Sequence, residues 1–346
     1  MAEKSKMANR VTIYDLAKAL DTTASTVSRA LQNHPRISKK MKARVVELAA
    51  QLNFQPDPVA MHLRTGKSSV IAVIVPRINR NFFASVIGGI EQVAYKNGYS
   101  VIFSQSNENY ETEKAITKTL YTKKIDALAV SLSAETTNYA HFLPFINKGT
   151  PIVFFDRVPD GLEATKVEID NYAAAYQSVE HLIAQGCKKI FHLAGPLSLS
   201  VYRNRLNGYL AAMRDNGLIV EENWIYNNAI TLETGIAVVE KIIEHNDLPD
   251  AILAAGDFSA MGVMMTLKKA GIKIPEQIAL IGFANEMFDL FVEPQLTSVD
   301  LYSHELGETT AELLIEQLDQ EPADREIKHI QFPPNLIIRG SSQRSR

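Results

Sequence analysis

From Ser69 onward the chain alternates short apolar runs with helical stretches, and this rhythm constrains the fold more than any other feature. The runs are VIAVIVP, YSVIFSQ, IDALAVSL, PIVFFD, KIFHLAG, AILAAGD and IALIGFA. Strands that are apolar on both faces and alternate with helices form parallel sheets covered by helices on both sides. Because about seven such units fit two sheets better than one, the sequence predicts an α/β body of two doubly wound parallel-sheet lobes over residues 69–346.

The start of the chain differs from the body in its charge. The first 67 residues carry 12 Lys and Arg against 5 Asp and Glu, whereas the remainder carries 24 against 34. Solvated surface charge is the ordinary explanation of a charged run. A positive excess of this size in a fifth of the chain nevertheless favours a polyanionic partner, and nucleic acid is the first candidate.

The basic part has the pattern of three short helices. Thr12 and Asp15 can form a capping box at the start of VTIYDLAKALD, the run ASTVSRAL repeats the helical spacing, and Ser38 can cap KKMKARVVELAAQL. Two helices joined by a tight turn and braced by a third form a helix-turn-helix unit. An all-α helix-turn-helix headpiece is therefore predicted for residues 1–56.

Residues 57–68 begin with a helix-start signal and end with letters that resemble a nucleotide-binding motif. GKSS resembles the end of a phosphate-binding loop, but that loop requires a glycine where Met61 stands and a strand before it. Asp57 can cap a helix and Pro58 suits its first position. The segment predicts a short hinge helix, which is marginal in water on its own, followed by a linker.

The sequence offers no familiar catalytic or cofactor motif. No G-x-G-x-x-G follows the first strand of the body, H-E-x-x-H is absent, and GPLSLS lacks the pattern of a nucleophile elbow. The eight histidines show no metal-ligand spacing. We expect neither enzymatic activity nor a cofactor or metal ion.

The expected compartment follows from cysteine usage and hydropathy. The single cysteine, Cys187, cannot form an internal disulfide and has the setting of a small buried side chain. The first residues lack the apolar core of a signal peptide, and no run approaches the roughly 20 apolar residues that span a bilayer. A cytoplasmic location without membrane contact is expected.

The stretch VTIYDLAKALDTTASTVSRALQNHPRISKKMKARVVELAAQLNFQPDPVAMHLRTGKSS closely resembles the headpiece of the LacI/GalR family. The resemblance continues through FFDR, HLAGPLSLSVYRNRLNGY, AAGDFSAMGVM and IGFANE. It spans about Val11 to Arg339 and implies a body similar to periplasmic binding proteins. The expected limits are about 69–168 and 300–328 for the first lobe, and about 169–299 and 329–346 for the second.

The resemblance implies that the second headpiece helix enters the major groove of DNA. Arg29 matches a recognition arginine suited to guanine, Ser25 would carry polar readout, and Ala24 can offer only an apolar contact. Thr12, Tyr14, Thr23 and Ser38 match phosphate or sugar contacts, and Gln32 stands where asparagine is usual. The headpiece set is Thr12, Tyr14, Thr23, Ala24, Ser25, Ser28, Arg29, Gln32 and Ser38.

The same resemblance gives the hinge a function. Leu63 matches a residue that the family inserts into the minor groove, and Val59 and Ala60 match residues that pack two hinge copies together. The implied partner is a palindromic operator that is kinked at Leu63. Because no long leucine-heptad extension follows LIIRGSS, a homodimer is expected rather than a zipper-bridged tetramer.

An effector pocket is implied between the lobes, at the carboxyl ends of the strands. Arg205 could bridge ligand hydroxyls or a carboxylate, whereas the phenylalanine pair could instead be core and Asp156 could cap a turn. Ile230, Gly256 and Ala284 replace residue types that clasp ligands in relatives, so a sugar or sugar derivative is only the favoured effector. The matched set is Phe82, Phe83, Ser131, Asp156, Arg205, Ile230, Gly256 and Asn285.

Together these features predict a sequence-specific transcriptional regulator, expected to be a repressor, whose operator affinity is controlled by a small polar effector. Two alternatives from other classes stay open. A carbohydrate-binding protein without DNA activity would show no salt-dependent DNA binding. A two-lobed α/β enzyme would turn over its cleft ligand.

Overall fold

The computed structural model describes residues 11–54 and 68–344, and it forms two compact units that divide between Ser68 and Ser69. The hinge residues Val59, Ala60 and Leu63 lie outside the described residues. Among the helices of the described ranges, none has the length and hydropathy required to cross a bilayer.

The described residues of the first unit form three helices: α1 Ile13–Ala19, α2 Ala24–Leu31 and α3 Lys39–Gln51. The predicted capping box is present: the Thr12 backbone N–H donates to Asp15 Oδ2 over 2.8 Å, and the Asp15 N–H donates to Thr12 Oγ1 over 3.4 Å. Leu16, Val27 and Val45 form a buried core with one from each helix. The predicted helix-turn-helix headpiece is therefore confirmed.

The second unit alternates strands and helices along residues 69–344. Its strands are β1 Val70–Val75, β2 Ser100–Gln105, β3 Ala127–Val130, β4 Ile152–Phe155, β5 Thr165–Ile169, β6 Ile190–Leu193, β7 Ile225–Tyr226, β8 Ala251–Ala254, β9 Ala279–Phe283, β10 Thr297–Asp300, β11 His329–Phe332 and β12 Asn335–Ile337. Its α-helices are α4 Asn81–Lys96, α5 Tyr110–Thr122, α6 Leu143–Lys148, α7 Asn171–Ala184, α8 Ser200–Asp215, α9 Leu232–Glu244, α10 Asp257–Lys269 and α11 Ser303–Leu318.

The first lobe is built on a parallel sheet with the strand order β11–β5–β4–β3–β1–β2. Its strands β3 and β4 are buried throughout, whereas β2 is an edge strand with exposed residues. Helices α4 and α11 cross at very close range. A Cβ atom added to Gly307 would lie 2.1 Å from the Val86 carbonyl oxygen, so only glycine fits this crossing.

The second lobe repeats this winding. Its strand order is β12–β10–β9–β8–β6–β7, in which β12 alone of the described strands runs antiparallel to its neighbour. The two sheets share the same doubly wound order, because β5–β4–β3–β1–β2 in the first lobe corresponds to β10–β9–β8–β6–β7 in the second. Cys187 is fully buried in this lobe, as predicted. The two predicted α/β lobes are confirmed.

One expected lobe boundary was wrong. We expected residues 329–346 in the second lobe, but β11 pairs with β5 in the first-lobe sheet, with His329 opposite Lys166 and Phe332 opposite Ile169. Strand β5 would otherwise leave an edge of unpaired backbone groups, which β11 satisfies. After β11 the chain returns to the second-lobe sheet at β12, so its last crossing lies between Phe332 and Asn335.

Candidate functional site

A cavity of about 330 Å³ lies between the two lobes of the second unit. Its wall is formed by residues that directly follow strands of both sheets. This is the edge at which doubly wound sheets bind ligands, because the loops and helix N-termini converge there. The lining residues include Arg77, Arg80, Phe82, Phe83, Glu108, Ala134, Asp156, Arg157, Arg205, Ile230, Gly256, Asp257, Phe258, Phe283, Ala284 and Glu286.

The structure brings together six of the eight predicted effector residues. Two lie apart from the cavity wall. Ser131 is behind it, where its hydroxyl donates to Asp156 Oδ2 over 3.4 Å. Asn285 is outside the lining, because its Oδ1 accepts a 2.6 Å bond from Arg339 and its Nδ2 donates to Asp300. The six that line the cavity are Phe82, Phe83, Asp156, Arg205, Ile230 and Gly256.

Arg205 is a buried cation in the cavity wall, only 4% exposed. It projects from α8, where its Nε donates to Asn171 Oδ1 over 2.8 Å and its Nη1 donates to the Ala255 carbonyl over 2.7 Å. The guanidinium lies 4.2 Å from the centre of the Phe283 ring. A guanidinium has five N–H donors, so these fixed contacts orient it while leaving donors for a ligand.

Asp156 lines the first-lobe side of the cavity, whereas Arg205 lines the second-lobe side. Asp156 follows β4 in a left-handed conformation with φ 57°, which turns its side chain toward the cavity wall. Burial raises the pKa of this carboxyl to about 6, although Arg157 and Arg205 act in the opposite direction. The group can therefore serve as acceptor or donor near neutral pH.

Four further charged groups of the first lobe, Arg77, Arg80, Glu108 and Arg157, line the cavity and were not predicted. Glu108 accepts a 2.6 Å bond from Arg157 Nη1 and lies 3.7 Å from Arg77 Nε. Arg80 reaches across to the second lobe, where its guanidinium lies 4.1 Å from the Phe258 ring centre. Their position directly after β1, β2 and β4 is the sequence signal that could have identified them.

The second lobe contributes a group of carboxylates. Asp257, at the start of α10, accepts hydrogen bonds from the Ser298 hydroxyl over 2.8 and 3.0 Å and from the Glu286 N–H over 3.1 Å. Gly282 makes room for it, since a Cβ there would lie 2.0 Å from Asp257 Oδ1. Burial, and then the Asp257 charge, raise the pKa of Glu286 to about 7.

The two lobes also contact each other directly near the cavity. Arg203 Nη2 of the second lobe is 2.5 Å from Asp160 Oδ2 of the first. The Ser198 hydroxyl donates to the carbonyl of Ala134, a cavity-lining residue, over 3.2 Å. A ligand in the cavity therefore lies beside contacts that depend on the spacing of the lobes.

In the headpiece, α2 presents the face that was predicted to read DNA. Ser25 and Arg29 are exposed and Ser28 is half-buried, whereas Val27 and Ala30 on the opposite side are buried. Arg29 forms no ion pair with the described residues, while Gln32 donates from Nε2 to the Ser28 hydroxyl over 3.3 Å.

Three of the four residues that are predicted to contact the DNA backbone also begin helices of the headpiece. Thr12, Thr23 and Ser38 are the N-caps of the three headpiece helices. Helix N-termini carry partial positive charge and unpaired N–H groups, which suit phosphate oxygens. Tyr14 lies nearby on α1 and is 74% exposed. The DNA contacts of all these residues, and of Ala24 and Ser25, stay predictions.

Two protein families match consecutive parts of the chain. Residues 12–57 match the bacterial regulatory proteins of the lacI family, and residues 68–338 match the periplasmic binding proteins and sugar binding domain of the LacI family. The lac repressor dimer bound to operator and the anti-inducer ONPF shares the fold, with a TM-score of 0.87 at 23% identity over 97% of this chain and 100% of that one.

Full-length relatives give the same result. Catabolite control protein A of Priestia megaterium is 30% identical over 96% of this chain and 99% of its own length. The NTD biosynthesis operon regulator NtdR of Bacillus subtilis is 33% identical over 96% and 99%. The transcriptional repressor CytR of Escherichia coli is 30% identical over 98% of both chains. The chain therefore belongs to the LacI family of bacterial transcriptional regulators.

Proposed function

We propose that this regulator is a homodimeric repressor that binds a palindromic operator and changes its operator affinity when a small polar effector occupies the cavity between its lobes. The observation that carries the proposal is the combination of an exposed recognition face on α2 with a polar cavity in the same chain. Aromatic rings beside charged hydrogen-bonding groups suit a sugar or sugar derivative, which has apolar C–H faces and many hydroxyls.

The DNA-binding half of the proposal depends on α2 and the helix caps. Arg29 is exposed and has no carboxylate partner among the described residues, so its fork of donors is available for a guanine edge. The capped N-termini of the three helices would contact phosphates and fix the register of the headpiece. Binding should weaken steeply with salt, because phosphate contacts release counterions.

Exposed apolar surfaces support a homodimer. Phe103 on the edge strand β2 is 56% exposed, and Phe291 of the second lobe is 78% exposed with Met287 close in sequence. Large exposed aromatic side chains and an open sheet edge are unfavourable in a monomer, and a second copy would cover them. A twofold dimer also accounts for a palindromic operator, because each headpiece then reads one half-site.

The first experiment is a footprint on the DNA upstream of the chain's own gene, with and without candidate sugars. We expect protection of a palindrome that changes when an effector is added. Arg29→Ala should weaken operator binding by about tenfold to a hundredfold. Arg44→Ala, on the exposed side of α3, is the matched control and should change it little. Equal affinities of wild type and Arg29→Ala would contradict the assignment of α2.

The hinge is tested separately. Leu63→Ala should sharply reduce operator affinity while leaving effector binding intact, because the wedge contacts DNA and not the cavity. Hydrogen exchange of residues 57–68 should slow on operator binding, since a short helix needs partners to form. Unchanged operator affinity, or equal protection with and without operator, would exclude the proposed role of this segment.

A further inference from the structure

The chain makes an unusual turn directly after β9. Ala284 has φ 128° and Asn285 has φ 50°, two consecutive positive values without a glycine. The Ala284 N–H donates to the Val299 carbonyl and the Asn285 N–H to the Ser298 hydroxyl, both over 3.0 Å. Backbone of this kind is retained where the surroundings fix it, and it is concentrated at ligand sites.

The turn places Glu286 in the cavity wall, where it is only 7% exposed. Its N–H is fixed by Asp257, but its carboxylate accepts no hydrogen bond from a described residue and forms no ion pair with one. The other lining carboxylates are engaged: Glu108 by Arg157, Asp156 by Ser131, and Asp257 by Ser298. Glu286 is thus the unengaged carboxylate among the described lining residues.

We propose that Glu286 is the ligand-binding carboxylate of the second lobe and that the effector presents a protonated amine to it, as an amino sugar does. This inference rests on the proposed effector function of the cavity. The Glu286 carboxylate lines the cavity without a donor from the described residues, and an ammonium group supplies both hydrogen bonds and the opposite charge. A sugar hydroxyl supplies a hydrogen bond alone.

The arginines of the cavity do not remove this site. Arg80 is near enough to Glu286 to oppose the rise of its pKa, yet its guanidinium stacks on Phe258 and makes no ion pair with Glu286. Arg77 and Arg157 neutralise Glu108 in the first lobe. Burial raises the pKa of Glu286 to about 7, so a bound cation would stabilise its ionised form at neutral pH.

The experiment compares matched sugars on the full-length chain. Glucosamine, galactosamine and mannosamine are each titrated beside glucose, galactose and mannose at about pH 7, with thermal unfolding and calorimetry as readouts. The variants are Glu286→Gln, which keeps the shape and removes the charge, and Glu276→Gln as an exposed control in the same lobe. The ligand-free unfolding midpoints check that both variants fold.

At least one amino sugar should bind wild type about tenfold more tightly than its parent sugar, and Glu286→Gln should bring that ratio close to one. The Glu276→Gln control should keep the wild-type ratio. The inference is overturned if no amino sugar binds, if parent sugars bind equally well, or if Glu286→Gln keeps the preference. A wild-type footprint run in parallel tests the proposed function separately from the role of Glu286. If a neutral sugar changes operator binding, that result supports the proposed function without supporting the inference about Glu286.

Discussion

Replacing Asp289 by asparagine should change how the stability of the protein depends on pH. Asp289 lies in the 3₁₀ turn Met287–Leu290, fully buried beside Asp257. Neither of its oxygens has a hydrogen-bond donor among the described residues, and Arg339 Nη1 is 3.8 Å from Oδ2. Asp257 accepts two bonds from the Ser298 hydroxyl. Because hydrogen-bond donors contact Asp257, whereas Asp289 has only the more distant Arg339 cation, the ionised form is favoured at Asp257 and the protonated form at Asp289.

The sign and size of the effect follow from proton linkage. Burial, and next the charge of Asp257, raise the pKa of Asp289 far above its ordinary value. The stabilisation is therefore fully present below the unfolded-state pKa and is lost as the pH rises through the folded-state pKa. Between these values the folded chain binds one proton more than the unfolded chain, so unfolding free energy falls by about 1.4 kcal/mol per pH unit. The Asp289→Asn variant lacks this proton, and from pH 6 to 8 wild type should lose about 2–3 kcal/mol more than the variant.

The assay is urea unfolding followed by circular dichroism at several pH values between about 6 and 8. Asp156 also has a raised pKa, but it is present in both proteins and Asp289 is not among the causes of its shift, so its contribution cancels in the difference. Asp324→Asn, at an exposed site, is the matched control and should follow wild type. Parallel curves for Asp289→Asn and wild type would refute the reasoning, because they would mean that Asp289 is already ionised in the folded chain.

Two further predictions concern stability. Gly307→Ala should destabilise the first lobe by about 2–3 kcal/mol, because its Cβ would meet the Val86 carbonyl at 2.1 Å. Gly88→Ala, with no atom within 4 Å of the added Cβ, should be neutral or slightly stabilising. Thermal unfolding of the two variants distinguishes these outcomes. Thr12→Ala removes the oxygen that caps α1 and should cost the headpiece about 1 kcal/mol, seen as faster hydrogen exchange in α1, while equal exchange rates would show that the cap contributes nothing.

Most of the fold could be predicted because apolar runs and helix caps are local signals. The seven runs that predicted strands correspond to β1, β2, β3, β4, β6, β8 and β9. The strands that were missed are short or carry polar residues, such as TKVEI in β5 and TSVD in β10. Their pairing depends on neighbouring strands, and the same cause led to the wrong lobe for β11. Edge and crossover strands are therefore where sequence reasoning failed.

The candidate site was only partly accessible from sequence. Asp156 and Arg205 stand in recognisable motifs, and both line the cavity. Glu286 has no such signal, because its position depends on the positive φ of Ala284, a conformation that alanine rarely adopts. The contact of Arg80 with Phe258 likewise depends on how the two lobes meet. Contacts between lobes require the tertiary structure.

Two segments in which the chain crosses between the lobes lie close to the candidate ligand contacts. The first crossing lies between β5 and β6, and the second between β10 and α11. Asn171 follows the first crossing and holds Arg205 through its Oδ1. Asp300 precedes the second crossing, where it accepts from the Asn285 side chain and from the Tyr302 N–H over 2.9 Å. A ligand that moves Arg205 or the turn after β9 must therefore move, or strain, a crossing segment. Since crossings are the covalent joints about which lobes reorient, this is a short physical route from cavity occupancy to lobe spacing.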